Sequence, residues 1–591
     1  MHQNIITVSR AIIPLLSSTI CTLGLTSTVS AQQSLSVVYP PANHKTTADQ
    51  IFIIGTSSPI TEVLINGQNI KRSPQGHFAP SFPLQIGVNV FTLRGGNQER
   101  KVTVTRISPE PILPKGVAFA EGSLTPAVDI ARLPGELVCF SAIASPNAQV
   151  SVRLQNRSIP LFSQTESVRL PPNSAILIED NQPITNNIGN YQGCTSFATI
   201  GNLGIPQFLM SLNGQQKTQV GTGAIAILNP DIPQVIEVTA DAGVARTGPS
   251  TNYSRLTPLQ KGTRASVTGK EGAWLRLDYG AWIKAEETRT LSSNVPPRSL
   301  IRSITSRKLP NATEIIFPLQ VPVPVKIHQE EQKITLTLYN TTAQTDTIRL
   351  DDDPLIKRLD WQQVSPTEIA YTFHLKTAQQ SGYDLRYEGT SLVLSLRHAA
   401  KLSRNPSLPL QGIKILLDPG HGGKELGARG PNGYPEKEMN LVISRLLEQD
   451  LQKLGATVYL TRDNDRDLSL KDRMTAIANI KPDLAISIHY NALPDAGDAE
   501  NTQGISTFWY HTQAHDFAVF LHNYLVTKLN RPSYGVFWNN LALTRPHAAP
   551  SILLELGFAI NPWEFEWITN PQEQKKVSKA IAEGIVEYFN D

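Results

Sequence analysis

The spacing of apolar residues changes near residue 405, and this change constrains the fold more than any other feature. Before it, short β-type runs alternate along the chain, as in Gln149–Leu154 and Lys333–Leu338. After it, such runs alternate with segments of helical period, the clearest being Met439–Leu454. Strands that alternate with helices are typical of a mostly parallel sheet. We therefore predict a multidomain chain in which several all-β modules precede a C-terminal α/β domain.

Proline-rich breaks mark the predicted boundaries. A chain of 591 residues is too long for one core and suggests about four domains. The breaks are Ser108–Lys115, Leu228–Pro233, Ser292–Pro297 and Ser403–Pro409. We predict β-modules over residues 34–107, 116–229, 235–290 and 298–397, and the α/β domain over residues 405–591.

The N-terminus has the pattern of an export signal. Ala11–Leu25 is apolar but too short for a bilayer span, and Val29 and Ala31 place small residues before a predicted cleavage site. Residues 1–31 are therefore predicted to be a secretory signal peptide, and the protein is predicted to reach the periplasm or cell wall with no transmembrane anchor after cleavage. The alternative is an uncleaved anchor.

Export leaves two cysteines in the mature chain, Cys139 and Cys194. Outside the cytoplasm such a pair can be oxidised to a disulfide. The alternative is two buried free thiols.

The net charge of +3 is unevenly distributed. Residues 405–591 contain 17 Lys and Arg against 22 Asp and Glu, whereas the whole chain contains 53 against 50. The basic front half suits a polyanion such as nucleic acid, acidic lipid or a carboxylate-rich wall polymer, although a solvated surface explains it equally well. Nucleic acid fits poorly with export, so no nucleic-acid partner is predicted.

Three of the β-modules resemble known types. Residues 34–107 have the pattern of an Ig-like sandwich, and residues 298–397 are loosely similar to an AMIN domain. Residues 235–290 resemble a bacterial SH3-like domain, a module that often binds the cell wall. Its Trp274 and Trp282 are either ligand platforms or barrel core. Residues 116–229 match no type.

Four polar residues stand where strands and helices meet in the C-terminal domain. His421 lies in a glycine-rich turn after a strand-like run, and Glu436 opens the next helix. His489 and Glu555 each end a strand-like run. Because ligands bind outside the carboxyl ends of strands in open α/β sheets, we expect the four side chains to converge.

The chemistry of this set points to metal-assisted hydrolysis. Two histidines with one carboxylate and no thiolate are typical of catalytic zinc, which keeps one position for water. A further carboxylate can take the proton of that water and pass it to a leaving nitrogen. Taken singly, a histidine at a strand end is usually a structural hydrogen-bonding group, and Glu436 suits a helix dipole. Glu555 is harder to explain structurally because it interrupts an apolar strand.

Longer motifs resemble one family. The C-terminal domain is similar to the zinc-dependent N-acetylmuramoyl-L-alanine amidases of the Amidase_3 type through these segments: Lys414–Gly423, Glu436–Leu441, Thr461–Asp463, Leu470–Asn479, Ser487–Ala492 and Ile552–Asn561. The resemblance implies one zinc ion held by His421, Glu436 and His489, with Glu555 as the catalytic carboxylate. It also implies peptidoglycan as the substrate, cleaved between N-acetylmuramic acid and L-alanine.

Two alternatives stay open. One is a catalytically silent wall-binding protein, although all four site residues are present. The other is a zinc peptidase acting on another peptide, although the His-Glu-x-x-His run of the common zinc proteases is absent.

The sequence also bears on regulation. Some periplasmic members of the family carry an inserted helix that plugs the zinc site. Here only His511–Gln513 joins a strand to the next helix, which is too short for such a plug. The loop Asn491–Gly504 holds three acids and is predicted to be flexible. We therefore predict that no protein activator is required.

Overall fold

The structure, a computed structural model, describes residues 34–590 apart from 109–112, 165–166, 170–183, 187–188, 402 and 404. The predicted signal peptide, residues 1–31, lies outside the described residues. Across the described part of the chain, no helix is both long enough and apolar enough to span a membrane.

The predicted fold class is confirmed. Up to residue 397, the regular structure of the described residues consists of β-strands and one 3-10 turn, Ala285–Glu287, and the helices lie in the C-terminal domain. The first module, residues 34–107, forms a five-stranded, a three-stranded and a two-stranded sheet around one apolar core. Its strands are Ser36–Tyr39, His44–Thr46, Gln50–Phe52, Ile54–Thr56, Val63–Ile65, Gln68–Asn69, His77–Phe78, Ser81–Pro83, Gly87–Gly95 and Gln98–Arg106.

The next two modules share a sheet. Ile130–Arg132 pairs with Arg264–Glu271, so strands from both sides of the predicted boundary at Leu228–Pro233 are hydrogen-bonded neighbours. The strands over residues 116–229 are Ile130–Arg132, Leu137–Ile143, Gln149–Leu154, Arg157–Ser163, Ser167–Arg169, Ile184–Asn186, Asn190–Ser196, Gly201–Gly204, Gln207–Leu212, Gln215–Val220 and Ile225–Ile227. Those over residues 235–290 are Gln234–Val238, Ala242–Gly243, Leu259–Gln260, Arg264–Glu271, Trp274–Leu277, Trp282–Lys284 and Thr288–Thr290.

The cysteine pair and the two tryptophans that the sequence left open lie in these modules. Cys139 and Cys194 are directly opposite on paired antiparallel strands and form a disulfide. Trp282 is buried, as expected of a barrel-core residue, whereas Trp274 is partly exposed.

The fourth β-module, residues 298–397, has a five-stranded and a four-stranded sheet packed around one core. Its strands are Ser299–Leu309, Ala312–Phe317, Val325–Glu330, Lys333–Tyr339, Thr341–Ile348, Ile356–Ser365, Glu368–Leu375, Tyr383–Glu388 and Ser391–Arg397. Alternating burial along Glu368–Leu375 and Lys333–Tyr339 gives each strand one core-facing side.

We number the elements of the C-terminal domain separately. The strands are β1 Lys414–Pro419, β2 Thr457–Leu460, β3 Leu484–Asn491, β4 Ile505–Trp509, β5 Ser533–Trp538 and β6 Ser551–Phe558. The helices are α1 Glu436–Lys453, α2 Leu470–Ile480, α3 His515–Leu529, α4 Pro562–Ile568 and α5 Pro571–Asn590.

These strands form one sheet in the order β2-β1-β3-β6-β4-β5. β2, β1, β3 and β6 are parallel, and β4 runs antiparallel to β6. The run Ile415–Leu417 is fully or almost fully buried, and its Ile415 and Leu417 share a core with residues of α1, among them Met439, Ile443 and Leu447. The sheet therefore has a carboxyl end, where β1, β3 and β6 finish, and an amino end, where they begin.

Two β-modules contact the C-terminal domain at opposite ends of this sheet. At the carboxyl end, Phe52 and Ile54 of the first module share a buried cluster with Ala499, Phe558 and Ile560. At the amino end, the fourth module meets the segments that precede β3 and β6 and the segment that follows β4. The first module thus lies on the C-terminal domain although about 300 residues separate them along the chain.

Candidate active site

The turn after β1 carries the first site residue, His421. Its φ of 59° lies in the left-handed region, which a non-glycine residue adopts only when its surroundings hold it there. The neighbouring residue, Gly420, cannot be replaced by a residue with a side chain, because a Cβ at that position would lie 2.1 Å from Cε1 of His489. The glycine-rich sequence therefore lets the backbone pass against one imidazole while presenting another.

Two buried arginines hold this turn. Arg473 donates from Nη1 to Oδ1 of Asp418 at 2.7 Å and from Nη2 to the carbonyl of His421 at 2.6 Å. Arg462 donates from Nη2 to the carbonyl of Gly420 at 2.8 Å. A guanidinium has several fixed donors, so each arginine can tie together segments that are distant along the chain. The unusual backbone at His421 is thereby fixed from both sides.

Glu436 is the first residue of α1, and its carboxylate is almost fully buried. Oε2 accepts from the backbone N–H of Ala428 at 2.8 Å, and Oε1 accepts from Nδ2 of Asn440 at 3.1 Å and from the N–H of Tyr490 at 3.2 Å. These donors fix the orientation of the carboxylate. Orientation by neighbouring hydrogen bonds is what a metal-binding carboxylate requires.

The side chains of His421, Glu436 and His489 converge on one point. Nε2 of His421 lies 3.2 Å from Oε2 of Glu436, and Nδ1 of His489 lies 2.9 Å from Oε1 of the same carboxylate. One donor atom from each of the three residues falls within 4.8 Å of the other two. Ligands about 2 Å from a tetrahedral metal ion lie about 3.3 Å apart, so this set can hold a metal ion.

The electrostatics of the cluster reflect this proximity. Burial alone would raise the pKa of the Glu436 carboxyl, but hydrogen bonds and charges from His421 and His489 hold that pKa well below its usual range. Burial alone would lower the pKa of His421, but the hydrogen bond and charge of Glu436 raise it. The carboxylate is therefore held ionised between two imidazoles.

Glu555 lies beside these ligands on the neighbouring strand. It is the direct partner of His489 in the register of β3 and β6. Its Oε2 is buried and has no hydrogen-bond partner. Burial, together with the charge of Glu436, raises the pKa of Glu555 well above its usual value. An unpartnered carboxyl group beside a metal-ligand set is suited to exchange a proton with a bound molecule.

Other histidines of the C-terminal domain lie away from the site. Nε2 of His511 donates to the carbonyl of Arg545 at 2.8 Å, and His522 is buried on α3 with Nε2 2.7 Å from Oγ of Ser533. His547 stacks on Tyr383 of the fourth β-module. His547 therefore borders a cleft at the amino end of the sheet, away from the four converging residues.

The loop Asn491–Gly504 was predicted to be flexible, but the first β-module packs against it. Oδ2 of Asp495 lies 2.8 Å from Nε2 of His44, and Oδ1 accepts from the Tyr39 hydroxyl. Glu500 lies 3.8 Å from Nζ of Lys71. The prediction missed this packing because the contacting residues come from a module more than 400 positions earlier.

Sequence reasoning also missed the residues that support the site. Asp418 and Arg473 are a buried ion pair, and Arg462 and Asn440 are buried among backbone carbonyls of the turn. The signal available was a charged residue at the end of a buried strand-like run, because such a charge needs a partner. Identifying that partner required the fold.

Known proteins match the part of the chain that contains these residues. Residues 415–587 match the family model described as N-acetylmuramoyl-L-alanine amidase, Amidase_3. A probable cell wall amidase LytH of Staphylococcus epidermidis is 36% identical over 186 residues, which cover 31% of this chain and 61% of that protein. The protein of the same name from Staphylococcus aureus is 35% identical over 184 residues, 31% of this chain and 60% of that protein.

Solved structures match the same part of the chain. The catalytic domain of CwlV, an N-acetylmuramoyl-L-alanine amidase from Bacillus (Paenibacillus) polymyxa var. colistinus, is 30% identical, with a TM-score of 0.28, over 30% of this chain and 98% of that one. The amidase AmiC2 of Nostoc punctiforme is 26% identical, with a TM-score of 0.29, over 30% of this chain and 98% of that one. The chain thus spans about three fifths of the length of the curated relatives and nearly all of these two solved chains.

Proposed function

We propose that this protein, whose residues 415–587 form an Amidase_3 domain, is an exported zinc-dependent peptidoglycan amidase. It hydrolyses the amide bond between the lactyl group of N-acetylmuramic acid and the L-alanine of the stem peptide. One observation carries the proposal: an unpartnered buried carboxyl oxygen, on Glu555, lies beside a converging His421–Glu436–His489 set. Names of relatives that include cell wall amidase support the choice of substrate.

Zinc is the metal that best fits this donor set. Two imidazole nitrogens and one carboxylate, with no thiolate, leave one tetrahedral position open, and the buried hydrogen bonds to Glu436 keep its oxygens oriented. When bound there, zinc supplies an acidic water molecule and polarises the scissile carbonyl. His421, Glu436 and His489 would be its ligands.

The proton transfers belong to Glu555. In its ionised form the carboxylate accepts one proton from the attacking water, and it returns that proton to the leaving nitrogen as the C–N bond breaks. The products are a free carboxylate on the lactyl group and a free amine on the peptide. Glu555 suits both steps because its Oε2 is buried beside the proposed ligands and has no hydrogen-bond partner of its own, and because burial and the charge of Glu436 raise its pKa and so strengthen it as a base.

The proposed location follows from the substrate. Residues 1–31 would direct export, and the disulfide between Cys139 and Cys194 is compatible with an oxidising compartment. We place the mature protein in the periplasm or cell wall, with the basic β-modules contacting peptidoglycan. Neither nucleic acid nor a membrane anchor is part of this proposal.

We further propose that turnover needs no activator protein. The acids of the loop Asn491–Gly504 have other partners, since Asp495 pairs with His44 and Asp498 bonds to Asn501. The segment between β4 and α3 contains one 3-10 turn, Thr512–Ala514. It follows the end of β4, which lies at the amino end of the sheet and so on the opposite side from the site. These contacts favour restraint by localisation rather than by a plug.

Mass spectrometry of purified muropeptides incubated with the mature chain tests the proposed bond. We expect free stem peptides that begin with L-alanine and intact glycan, in the absence of any second protein. Cleavage within the stem peptide would identify a peptidase instead. Binding to sacculi without any product from metal-loaded protein would identify a silent wall-binding protein.

A further inference from the structure

The cleft that His547 borders lies at the amino end of the sheet, away from the proposed metal ligands. It has a volume of about 310 Å³ and is formed where the SH3-like module, the fourth β-module and the C-terminal domain meet. Its walls include Arg255, Lys326, Tyr510, Trp538 and Arg545. This volume is at the lower end of the range for ligand clefts.

Contacts between the modules fix the walls of this cleft. The backbone N–H of Ile327 donates to Oγ1 of Thr257 at 3.1 Å, which joins the SH3-like module to the fourth module. Oγ1 of Thr512 donates to the carbonyl of Gln329 at 3.0 Å, which joins the fourth module to the C-terminal domain. The cleft therefore exists only in the assembled chain.

The cleft is positively charged without compensation. Arg255, Lys326 and Arg545 line it, and its lining among the described residues includes no Asp or Glu. Arg545 donates from Nε to Oδ1 of Asn540 at 2.7 Å, which is a neutral partner. Burial, with the positive charges of Arg255 and Arg246, lowers the pKa of Arg545 to about 10. Uncompensated guanidinium groups in a cleft favour an anionic ligand.

The same cleft offers an aromatic surface. Trp538 is 62% exposed, and its ring lies 5.3 Å from that of Tyr510. Its indole Nε1 donates to the carbonyl of Tyr510 at 3.0 Å, which fixes the orientation of the ring. An exposed and oriented indole is suited to pack against the apolar face of a pyranose ring, while the cations bind a charged substituent.

We propose that this cleft binds the glycan product of the reaction, a peptide-free strand whose muramic acid residues carry free lactyl carboxylates. The proposal rests on the proposed function, because amide hydrolysis converts the neutral lactyl amide into that carboxylate. Each cleavage adds one negative charge to the glycan at the position where the peptide was attached. A cleft that places cations beside an exposed indole matches a carboxylate attached directly to a pyranose, and so retains the enzyme on glycan that it has already processed.

Binding of defined glycans to the mature full chain tests this inference. Three oligosaccharides of equal length are compared by calorimetry: a peptide-free glycan with free lactyl carboxylates, the same glycan with each carboxyl capped as a methylamide, and a chitin oligosaccharide without lactyl groups. None contains the bond to L-alanine, so binding is measured independently of turnover. We expect the carboxylate glycan to bind at least about tenfold more tightly than either neutral glycan, and its affinity to fall with salt.

Variants locate the site. Arg255→Gln and Trp538→Ala should each weaken binding of the carboxylate glycan by about fivefold or more. Lys261→Gln is the matched control: it removes one positive charge from an exposed residue of the SH3-like module that does not line the cleft, and should change affinity less than about twofold. If Arg255→Gln disturbs folding, Lys326→Gln is used in its place, because it removes a second, exposed cation of the cleft.

Three results would overturn the inference. These are equal binding of the carboxylate and methylamide glycans, unchanged affinity in Arg255→Gln and Lys326→Gln, or equally tight binding of free stem peptide without glycan. Digestion of soluble muropeptides should be unaffected in Arg255→Gln, because the cleft and the metal ligands lie at opposite ends of the sheet. Loss of the proposed amidase activity in unmodified protein would therefore be recognised separately from failure of this site.

Discussion

The first and the fourth β-modules contact the C-terminal domain at opposite ends of one sheet and through different chemistry. At the carboxyl end, Phe52 and Ile54 of the first module are buried against Ala499 and Phe558. At the amino end, Arg397 of the fourth module donates from Nη1 to the carbonyls of Pro482 and Ala548 at 2.6 and 2.8 Å. The carboxyl-end contact combines an apolar cluster with polar pairs such as His44–Asp495, whereas the amino-end contact is largely hydrogen-bonded.

The two contacts therefore affect different parts of the C-terminal domain. The carboxyl-end contact covers the loop Asn491–Gly504, which begins two residues after the metal-ligand candidate His489, so changes there can reach the site. The amino-end contact holds the segments that start β3 and β6, which carry no candidate ligand, and it leaves the cationic cleft open. Substitutions at the two ends should therefore differ in whether they alter metal binding or only the assembly of modules.

The largest effect is expected from Arg473→Gln at the carboxyl end. The change leaves Asp418 buried without its charged partner and removes the donor to the His421 carbonyl. We expect a loss of about 3–5 kcal/mol in the free energy of unfolding and metal affinity lowered by about 10–100-fold. Thermal denaturation and zinc titration measure both. Arg445→Gln, an exposed arginine on α1, is the control, and equal metal affinity in the two variants would contradict the assigned role.

The apolar contact of the first module should have the next largest effect. Phe52→Ala removes a buried ring from the cluster shared with Ala499, and we expect about 3 kcal/mol of lost stability. Protease cleavage within the loop Asn491–Gly504 should become faster. Phe82→Ala is the matched control, because Phe82 packs on Phe91 within the module. Loop cleavage at the unmodified rate in Phe52→Ala would show that the module does not restrain this loop.

A smaller effect is expected from Arg397→Gln at the amino end. Arg397 makes two charge-assisted bonds to backbone carbonyls and a 3.1 Å bond to Asp483, so its loss should cost about 2 kcal/mol. Metal content and digestion of soluble muropeptides should remain unchanged below the unfolding temperature. Zinc loss in folded Arg397→Gln would break the proposed separation between the two ends.

The smallest effect is expected from Lys71→Gln on the rim of the first contact. Nζ of Lys71 lies 4.4 Å from the ring centroid of Trp563, and such exposed cation–π contacts contribute about 0.5–1 kcal/mol. Thermal unfolding in low and high salt measures the effect. Lys45→Gln, another exposed lysine of the same module, should be neutral. A loss above about 2 kcal/mol would mean that charge rather than apolar burial dominates this contact.

Local sequence patterns were sufficient for much of the C-terminal domain. The helical period of Met439–Leu454 predicted α1, which runs over Glu436–Lys453. Strand β5, Ser533–Trp538, was not predicted, because it is partly exposed, contains Gly535 and lies at the border of the sheet. A periodic pattern of apolar residues reflects which side chains are buried, and no residue of β5 is fully buried.

Local sequence patterns could not predict the contacts between modules. The prediction treated residues 405–591 as a unit with its own core, and a large core does lie within it. A second cluster, however, joins Phe558 and Ile560 to Phe52 and Ile54. Likewise, the turn at His421 was predicted, but the buried arginines that hold it were not. Pairing between distant residues depends on the assembled fold, and no local spacing encodes it.

The central claim is that Glu555 transfers protons beside a metal ion held by His421, Glu436 and His489. The most direct test compares zinc content and muropeptide digestion for the mature chain and its Glu555→Gln variant, which keeps the shape of the side chain. The account predicts equal zinc content and a rate lower by about 10²–10⁴-fold. Full activity in Glu555→Gln, or a folded variant that has lost its zinc, would contradict it.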